Sequence, residues 1–258
     1  MIKTLGIILW NFQGHGVARV VIQLLPIFRH MGIRCVVMTG NDPKDDTLPF
    51  PEDDGIARVD IGYGEDRQKR LRKVLIDNQV QVVVDHEYYE LARLRADWET
   101  VKGCHAKFIV HFHSVFSQFL VSKVVFSVYS ELMHFYPKVD GLIALNRVDA
   151  CYFQAIGCNA LNIQNPVEMR SGWDETNNPE DDGHYLIWIG RIDENKRLDE
   201  AVRIMSHVLK TCPTAKLHVL GSPVGDCAEK VVRMVNANDV LVQHVVFEGF
   251  HSDVESYL

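Results

Sequence analysis

The sequence predicts an α/β protein with two doubly wound parallel sheets, the second of them incomplete. Strand-like and helix-like segments alternate along the chain, a pattern typical of parallel strands joined by helices. The strand-like segment 185–189 is a continuous apolar run, which favours a parallel strand buried on both faces. One acidic, turn-rich stretch, residues 169–183, breaks the alternation and is predicted to link two domains.

In the first domain, residues 1–168, most of the gaps between strand-like runs are filled by segments whose apolar residues have helical spacing. The predicted strands cover residues 5–10, 33–38, 57–61, 80–85, 107–112, 140–145 and 160–163. The predicted helices cover residues 17–31, 66–77, 89–101, 115–135 and 147–156. Gly32 and Gly157 stand where helices are expected to end, and Pro26 is expected to kink the first helix or to end it early.

The second domain, residues 184–258, continues the same alternation for a shorter distance. Its predicted strands cover residues 185–189, 215–220 and 245–248. Its predicted helices cover residues 198–209 and 226–235, and a last helix is expected to begin near Ser252. About 75 residues are half of a typical doubly wound domain, so we expect a sheet with strands missing.

Composition and charge exclude several classes of protein. The chain has 258 residues and a net charge of −7, which argues against a general nucleic-acid-binding protein. Its six cysteines show no C-x-x-C spacing, so the reduced thiols of a cytosolic protein are expected. The first strand begins too near the N-terminus for a signal peptide. No apolar stretch has the length of a membrane span, so any membrane contact would be peripheral.

The strongest candidate for a binding site lies between the strand at 185–189 and the helix predicted from Leu198. Gly190 ends the apolar run, and the polar turn after it carries Arg191 and Lys196. A helix N-terminus at the carboxyl end of a parallel strand favours an anion, and two fixed cations beside it would suit a diphosphate. A solvated turn with ordinary surface charges explains the pattern about equally well.

This turn resembles a segment of a known enzyme family. Residues 189–196, which read I-G-R-I-D-E-N-K, are similar to the G-R-x4-K segment of the retaining glycosyltransferases of family four, which have two Rossmann-like domains in the GT-B fold. The resemblance implies transfer of a sugar from a UDP- or GDP-sugar to a saccharide or lipid-linked acceptor, with the anomeric configuration retained. It also implies that Arg191 and Lys196 bind the donor's diphosphate without a metal or other cofactor. The expected setting is polysaccharide biosynthesis in the cytoplasm, at or near the inner face of the membrane.

A glycine-rich turn follows the first strand. Gly14 and Gly16 would let the backbone approach a phosphate or sugar closely, and the turn is similar to the family's glycine loop facing the donor. A plain connecting turn is the alternative. A dinucleotide site is another, since Gly14-His15-Gly16 imitates the start of G-x-G-x-x-G, but Arg19 stands where that fingerprint needs Gly or Ala.

Two histidines end the strand at 107–112. His111 and His113 share one face of the strand, and they could be half of a metal site, but no neighbouring Asp, Glu or Cys along the chain completes one. The resemblance implies that His113, followed by Ser114, is the catalytic residue that contacts the transferred sugar, with His111 deeper and structural. The alternative for His113 is an ordinary hydrogen-bonded histidine at a strand end.

Several weaker candidates also stand at strand ends, where ligand sites of α/β proteins gather. His86 could face the acceptor. The resemblance places the other candidates at the family's cleft or beside the nucleotide. These residues are Asn146, Asn165, Gly221 and Phe250.

The resemblance stops before the family's last motif, two glutamates separated by seven residues that face the donor sugar and the ribose. Glu248 and Glu255 have six residues between them, and that role is not assigned to them. The chain is therefore expected to be truncated, with its activity in doubt. An unfinished sheet would leave an open edge through which the protein could self-associate.

Two other functions stay open. The first is a remnant or interaction subunit that keeps this fold without catalysis. The second is a nicotinamide-dependent oxidoreductase that uses the turn with Gly14 and Gly16.

Overall fold

The computed structural model describes residues 2–13, 16–40, 44, 46–51, 53–87, 89–116, 123–167, 184–223, 225–251 and 254, without the side chains of 123–127. The chain forms two compact units, Met1–Arg170 and Ser171–Leu258. The predicted linker, residues 169–183, and the helix predicted near Ser252 lie outside the described residues.

The first unit contains a parallel sheet of seven strands in the order β3-β2-β1-β4-β5-β6-β7. Its strands are β1 Thr4–Ile8, β2 Arg34–Thr39, β3 Ile56–Asp60, β4 Val82–Asp85, β5 Lys107–Phe112, β6 Gly141–Ala144 and β7 Ala160–Asn162. Strand order runs one way from β1 to β3 and the other way from β4 to β7, as in a doubly wound sheet.

Helices connect these strands: α1 Gly16–His30, α2 Arg67–Asp77, α3 Leu91–Gly103, α4 Lys123–Phe135 and α5 Arg147–Ala155. Of the two effects expected of Pro26, an early end of α1 is not seen, because the helix continues to His30. Pro26 is exposed one turn before the end of the helix, while Leu25 is buried and Phe28 packs against the core. Burial of the apolar face therefore outweighs the one hydrogen bond that proline cannot donate.

The sheet of the first unit is covered on both faces. Successive residues of a strand point to opposite faces, and Ile7 belongs to the core that includes α1, while Ile8 belongs to the core that includes α2, α3 and α5. Val36 and Val37 divide between the two cores in the same way. Burial on both faces explains why β1 is buried at every position.

The second unit contains a smaller parallel sheet of three strands in the order β10-β9-β8. The strands are β8 Tyr185–Ile189, β9 Lys216–Leu220 and β10 Val245–Gly249, and the helices are α6 Leu198–Val208, α7 Cys227–Asn236 and α8 Asp239–His244. Helix α8 was not expected from the sequence. Asn238 caps it by accepting hydrogen bonds from the N–H groups of Val240 and Leu241, and Leu241 is buried in the core.

The predicted fold class is confirmed, since both units are α/β and both sheets are parallel. All six cysteines are free thiols. Among the described residues, the helices are all too short or too polar to cross a membrane.

Candidate functional site

The strand order of the first unit reverses between β1 and β4. Ligands of doubly wound sheets bind beyond the carboxyl ends of the strands at such a reversal. The chain leaves β4 at Asp85 and β5 at Phe112, and these two strands are neighbours with Asp85 opposite Val110. Polar side chains that follow β4 and β5 are therefore brought together beyond the carboxyl ends of these strands, at what we call the carboxyl edge of the sheet.

Three histidines meet at this edge. His86 Nδ1 lies 2.7 Å from His113 Nε2, so one ring donates a hydrogen bond to the other. The rings of His111 and His113 are stacked with centroids 3.9 Å apart, and the ring of His86 lies 5.0 Å from that of His111. His86 and His111 are each 4% exposed, while His113 is partly exposed. The three rings form one compact cluster.

Burial makes two of these imidazoles poor bases. Burial, reinforced by the neighbouring His113 and His111, lowers the pKa of His86 well below its ordinary 6.5. Burial lowers the pKa of His111 to about 4. Both rings are therefore neutral at physiological pH. Nε2 of His111 is buried and has no hydrogen-bond partner among the described residues.

The cluster differs from what the sequence indicated. The sequence places His111 and His113 on one face at the end of one strand, with no Asp, Glu or Cys nearby in the chain to join them. The structure adds a third histidine from the segment after the adjacent strand, because His86 lies 27 residues before His113 and still contacts it. The signal was present in the sequence as a histidine at each of two strand ends, but only strand pairing shows that they are neighbours.

A buried ion network holds the segment that carries His86. Arg93 Nη1 donates to Asp85 Oδ2 and to Asp97 Oδ2, both at 3.0 Å. Arg67 Nη2 donates to Asp97 Oδ2 at 2.7 Å. The side chains of Asp85 and Asp97 are 0% exposed, and those of both arginines are 5% exposed. Burial raises the pKa of Asp85 and Arg93 opposes this; these four ionisable groups are tolerated at such depth because each is paired. The sequence did not reveal this network.

Glu87 connects this network to the carboxyl edge of the sheet. Its carboxylate lies 2.9 Å from Arg93 Nε and accepts a hydrogen bond of 3.3 Å from the hydroxyl of Tyr63. Burial raises the pKa of Glu87 to about 7, although Arg93 lowers it and Asp85 raises it further. The Tyr63 ring also contacts the Trp10 ring, with centroids 4.6 Å apart and the planes tilted by 32°. His86 is thus flanked by two acidic residues whose positions Arg93 determines.

In the second unit, the turn after β8 carries the two cations predicted to bind a diphosphate. Arg191 Nη2 lies 2.8 Å from Asp193 Oδ2, and the Arg191 side chain is 60% exposed. The Lys196 side chain bends back over Gly190, so that a Cβ built on Gly190 would lie 3.6 Å from Lys196 Cδ. The structure therefore brings Arg191 and Lys196 to the same turn, both partly open to solvent.

Asp193 shapes this turn and was missed in the sequence. A short 3-10 helix, Glu194–Lys196, precedes α6, and the Asp193 carboxylate accepts hydrogen bonds from the N–H groups of Asn195 and Lys196. Two backbone donors that were expected to face an anion are therefore already occupied. The available signal was an aspartate just before a helical turn, which is a common capping pattern.

Gly221 lies directly beneath the Arg191 turn. A Cβ built on Gly221 would lie 1.7 Å from the carbonyl oxygen of Gly190, so only glycine fits. The N–H of Ile192 donates to the carbonyl of Ser222 at 2.9 Å. The turns that follow β8 and β9 therefore run side by side, and Gly221 supports the cation-bearing turn without offering a side chain to a ligand.

The other predicted site residues have different surroundings. Gly14 lies outside the described residues. Gly16 is the exposed first residue of α1, and a Cβ there would contact nothing within 4 Å. Asn146 caps α5, since its Oδ1 accepts a 2.8 Å hydrogen bond from the N–H of Asp149. Asn165 is exposed, and Phe250, just beyond β10, is 56% exposed.

The same architecture is found in solved structures of other proteins. No protein-family model and no sequence among curated proteins matches the chain. Solved structures do match, including HepE of Anabaena in complex with UDP and glucose, which is 13% identical with a TM-score of 0.71 over 99% of this chain and 71% of HepE. The lipopolysaccharide outer core galactosyltransferase WaaB is 15% identical with a TM-score of 0.65, over 99% of this chain and 70% of WaaB.

A third match is WaaG, a glycosyltransferase involved in lipopolysaccharide biosynthesis, which is 11% identical with a TM-score of 0.64 over 98% of this chain and 72% of WaaG. At such low sequence identities, structural similarity establishes the fold but not the reaction or the ligand, which have to be argued from the residues of the site. The fold is GT-B, the two-domain fold of these glycosyltransferases.

Proposed function

We propose that this protein is a nucleotide-sugar glycosyltransferase that transfers a sugar from a UDP-sugar to a hydroxyl acceptor with retention of configuration. The observation that carries the proposal is the turn at the carboxyl end of β8, where Arg191 and Lys196 stand together in a fold shared with a protein solved with UDP and glucose. A diphosphate leaving group needs fixed positive charge, and two cations on one turn can supply it.

Each named residue has a distinct role in this proposal. Arg191 and Lys196 neutralise the diphosphate as the bond to the sugar breaks, so no divalent ion is needed for that step. Asp193 holds the Arg191 guanidinium at the turn through their 2.8 Å ion pair. Gly14 and Gly16 admit the donor without a side chain in the way. His113, the most exposed of the three clustered histidines, donates a hydrogen bond to the transferred sugar.

Binding of UDP, GDP and NADH should be compared by isothermal titration calorimetry and thermal shift. We expect UDP to bind and to raise the unfolding temperature, because a ligand stabilises only the state that binds it. The variants Arg191→Gln and Lys196→Gln should each weaken UDP binding at least about tenfold. The control Arg233→Gln changes a cation of the same unit that is 72% exposed and paired with Glu229, and it should bind UDP normally.

Turnover separates an active enzyme from a remnant of the same fold. Incubation with UDP-glucose and other UDP-sugars should release UDP, slowly with water and faster with a saccharide acceptor. The anomeric configuration of the product, read by NMR, tests retention. Tight UDP binding without UDP release would favour the non-catalytic alternative, whereas NADH binding without UDP binding would overturn the proposal.

A further inference from the structure

We propose that His86, His111 and His113 form a binding site for a divalent transition-metal ion, best matched by Zn²⁺. One ring nitrogen from each histidine lies within 4.8 Å of the other two. Three protein ligands with an open fourth position are a set that proteins use for zinc. The site belongs to the first unit alone and involves no residue of the Arg191 turn.

The geometry requires only small ring movements. A tetrahedral ion with Zn–N bonds of about 2.0–2.1 Å holds its ligand nitrogens roughly 3.3 Å apart. In the cluster, His86 Nδ1 and His113 Nε2 are 2.7 Å apart, and one ring nitrogen from each of the three histidines lies within 4.8 Å of the others. Ring rotations that move a nitrogen by on the order of 1 Å would satisfy this geometry.

A buried ring nitrogen of His111 favours binding of an ion at the cluster. His111 Nε2 is buried with no hydrogen-bond partner in the part of the chain that the structure describes, which is unfavourable for a polar nitrogen. Imidazole binds a metal in its neutral form, and a buried histidine without a carboxylate partner favours that form. An ion bound through Nε2 would satisfy this nitrogen.

The backbone already places the three rings. β4 and β5 are hydrogen-bonded to each other, with Asp85 opposite Val110. This pairing holds His86, which follows β4, close to His111 and His113 at the end of β5. Arg93 holds Asp85, the residue before His86, at 3.0 Å. A preformed ligand set loses little conformational entropy on binding. Imidazole sets bind Zn²⁺, Co²⁺, Ni²⁺ and Cu²⁺ rather than the oxygen-preferring Mg²⁺.

This inference does not depend on sugar transfer. In the proposed function His113 contacts the donor sugar, so a metal ion would compete with the sugar for the same ring. Metal titration without nucleotide tests the site alone, and UDP titration of chelator-treated protein tests the Arg191 turn alone. If one of these experiments fails, the proposal tested by the other is not affected.

The test is calorimetric titration of the full chain with ZnCl₂ and MgCl₂ after dialysis against EDTA. Because six free thiols could also bind zinc, the cysteines are alkylated and the titration repeated. The variants His113→Gln and His111→Phe each remove one ligand. The matched control is His134→Gln, which changes an exposed histidine of α4 whose Nδ1 contacts the carbonyl of Ser130. Circular dichroism confirms that each variant is folded.

We expect one Zn²⁺ per chain, no Mg²⁺ binding, and the visible spectrum of tetrahedral Co²⁺ when cobalt is used instead. Each ligand variant should weaken Zn²⁺ binding at least about 100-fold, since even outer residues of such sites change affinity by about 10–100-fold. The control should bind as the unaltered protein does. Absence of saturable Zn²⁺ binding, or equal affinity in His113→Gln and His134→Gln, would overturn the proposal.

Discussion

Gly221 and Gly190 meet so closely that a single added methyl group would lie 1.7 Å from the Gly190 carbonyl oxygen. Gly190 is followed at once by Arg191, and the N–H of Gly190 donates to the carbonyl of Leu220 at 3.0 Å. The position of the cation-bearing turn therefore depends on the absence of a side chain on the neighbouring strand.

Gly221→Ala should displace the Arg191 turn. Overpacking of this kind typically costs about 1–3 kcal/mol, and on the proposed function it should also weaken UDP binding. Urea unfolding and UDP calorimetry measure the two effects. Gly64→Ala is the control, because a Cβ on Gly64 would contact nothing within 4 Å. Unchanged stability of Gly221→Ala would mean that the two turns separate more easily than their contact indicates.

Arg93→Met should strongly destabilise the first unit. The substitution leaves Asp85 without its Arg93 partner at 3.0 Å, in a place where the carboxylate is 0% exposed. Removing one member of a buried ion pair costs about 3–5 kcal/mol. The matched control on the same helix is Arg95→Met, whose ion pair with Glu131 is exposed and should contribute about 0–1 kcal/mol. Urea unfolding followed by circular dichroism compares the two, and similar losses would argue against a dominant role for the buried network.

Asn146→Ala should lower stability without changing UDP binding. The side chain caps α5 through the N–H of Asp149, and loss of such a cap costs about 0.5–2 kcal/mol. Asn146→Ser retains a capping oxygen and should restore most of the stability. If UDP binding weakened in a well-folded Asn146→Ala protein, the residue would have a ligand role beyond the cap.

Asp140 should contribute a pH-dependent part of the stability. Burial opposes its charge, but hydrogen bonds from Lys107 and from the N–H of Phe108 outweigh burial and lower the pKa of Asp140 below 3.8. A carboxyl group whose pKa is lower in the folded state adds stability above its unfolded pKa and loses it as the pH falls through its folded pKa.

The stability difference between the unaltered protein and Asp140→Asn should therefore be full at pH 7 and shrink below about pH 4. Urea unfolding across this pH range measures it. Asp77→Asn, in an exposed pair with Lys73, is the control. A difference that stayed constant with pH would show that Asp140 acts through packing rather than through its charge.

Local features of the chain were predictable from the sequence. Apolar runs and helical spacing gave the order of strands and helices, because short-range periodicity decides which residues can be buried in each element. The turn with Arg191 and Lys196 was also predictable, since both residues lie between one strand and the helix that follows it. Helix α8 was missed because a helix of six residues shows less than two turns of periodicity.

Contacts between distant segments were decided by the tertiary structure alone. His86 meets His113 across 27 residues because β4 and β5 are paired, and a sequence does not state which strands become neighbours. The same reason hides Arg67 and Asp97, which are 30 residues apart and buried together. The sequence by itself determined which polar residues follow each strand. Strand pairing determined which of them lie together beyond the strand ends, because hydrogen bonds between neighbouring strands fix distances that cannot be read from the order of residues in the chain.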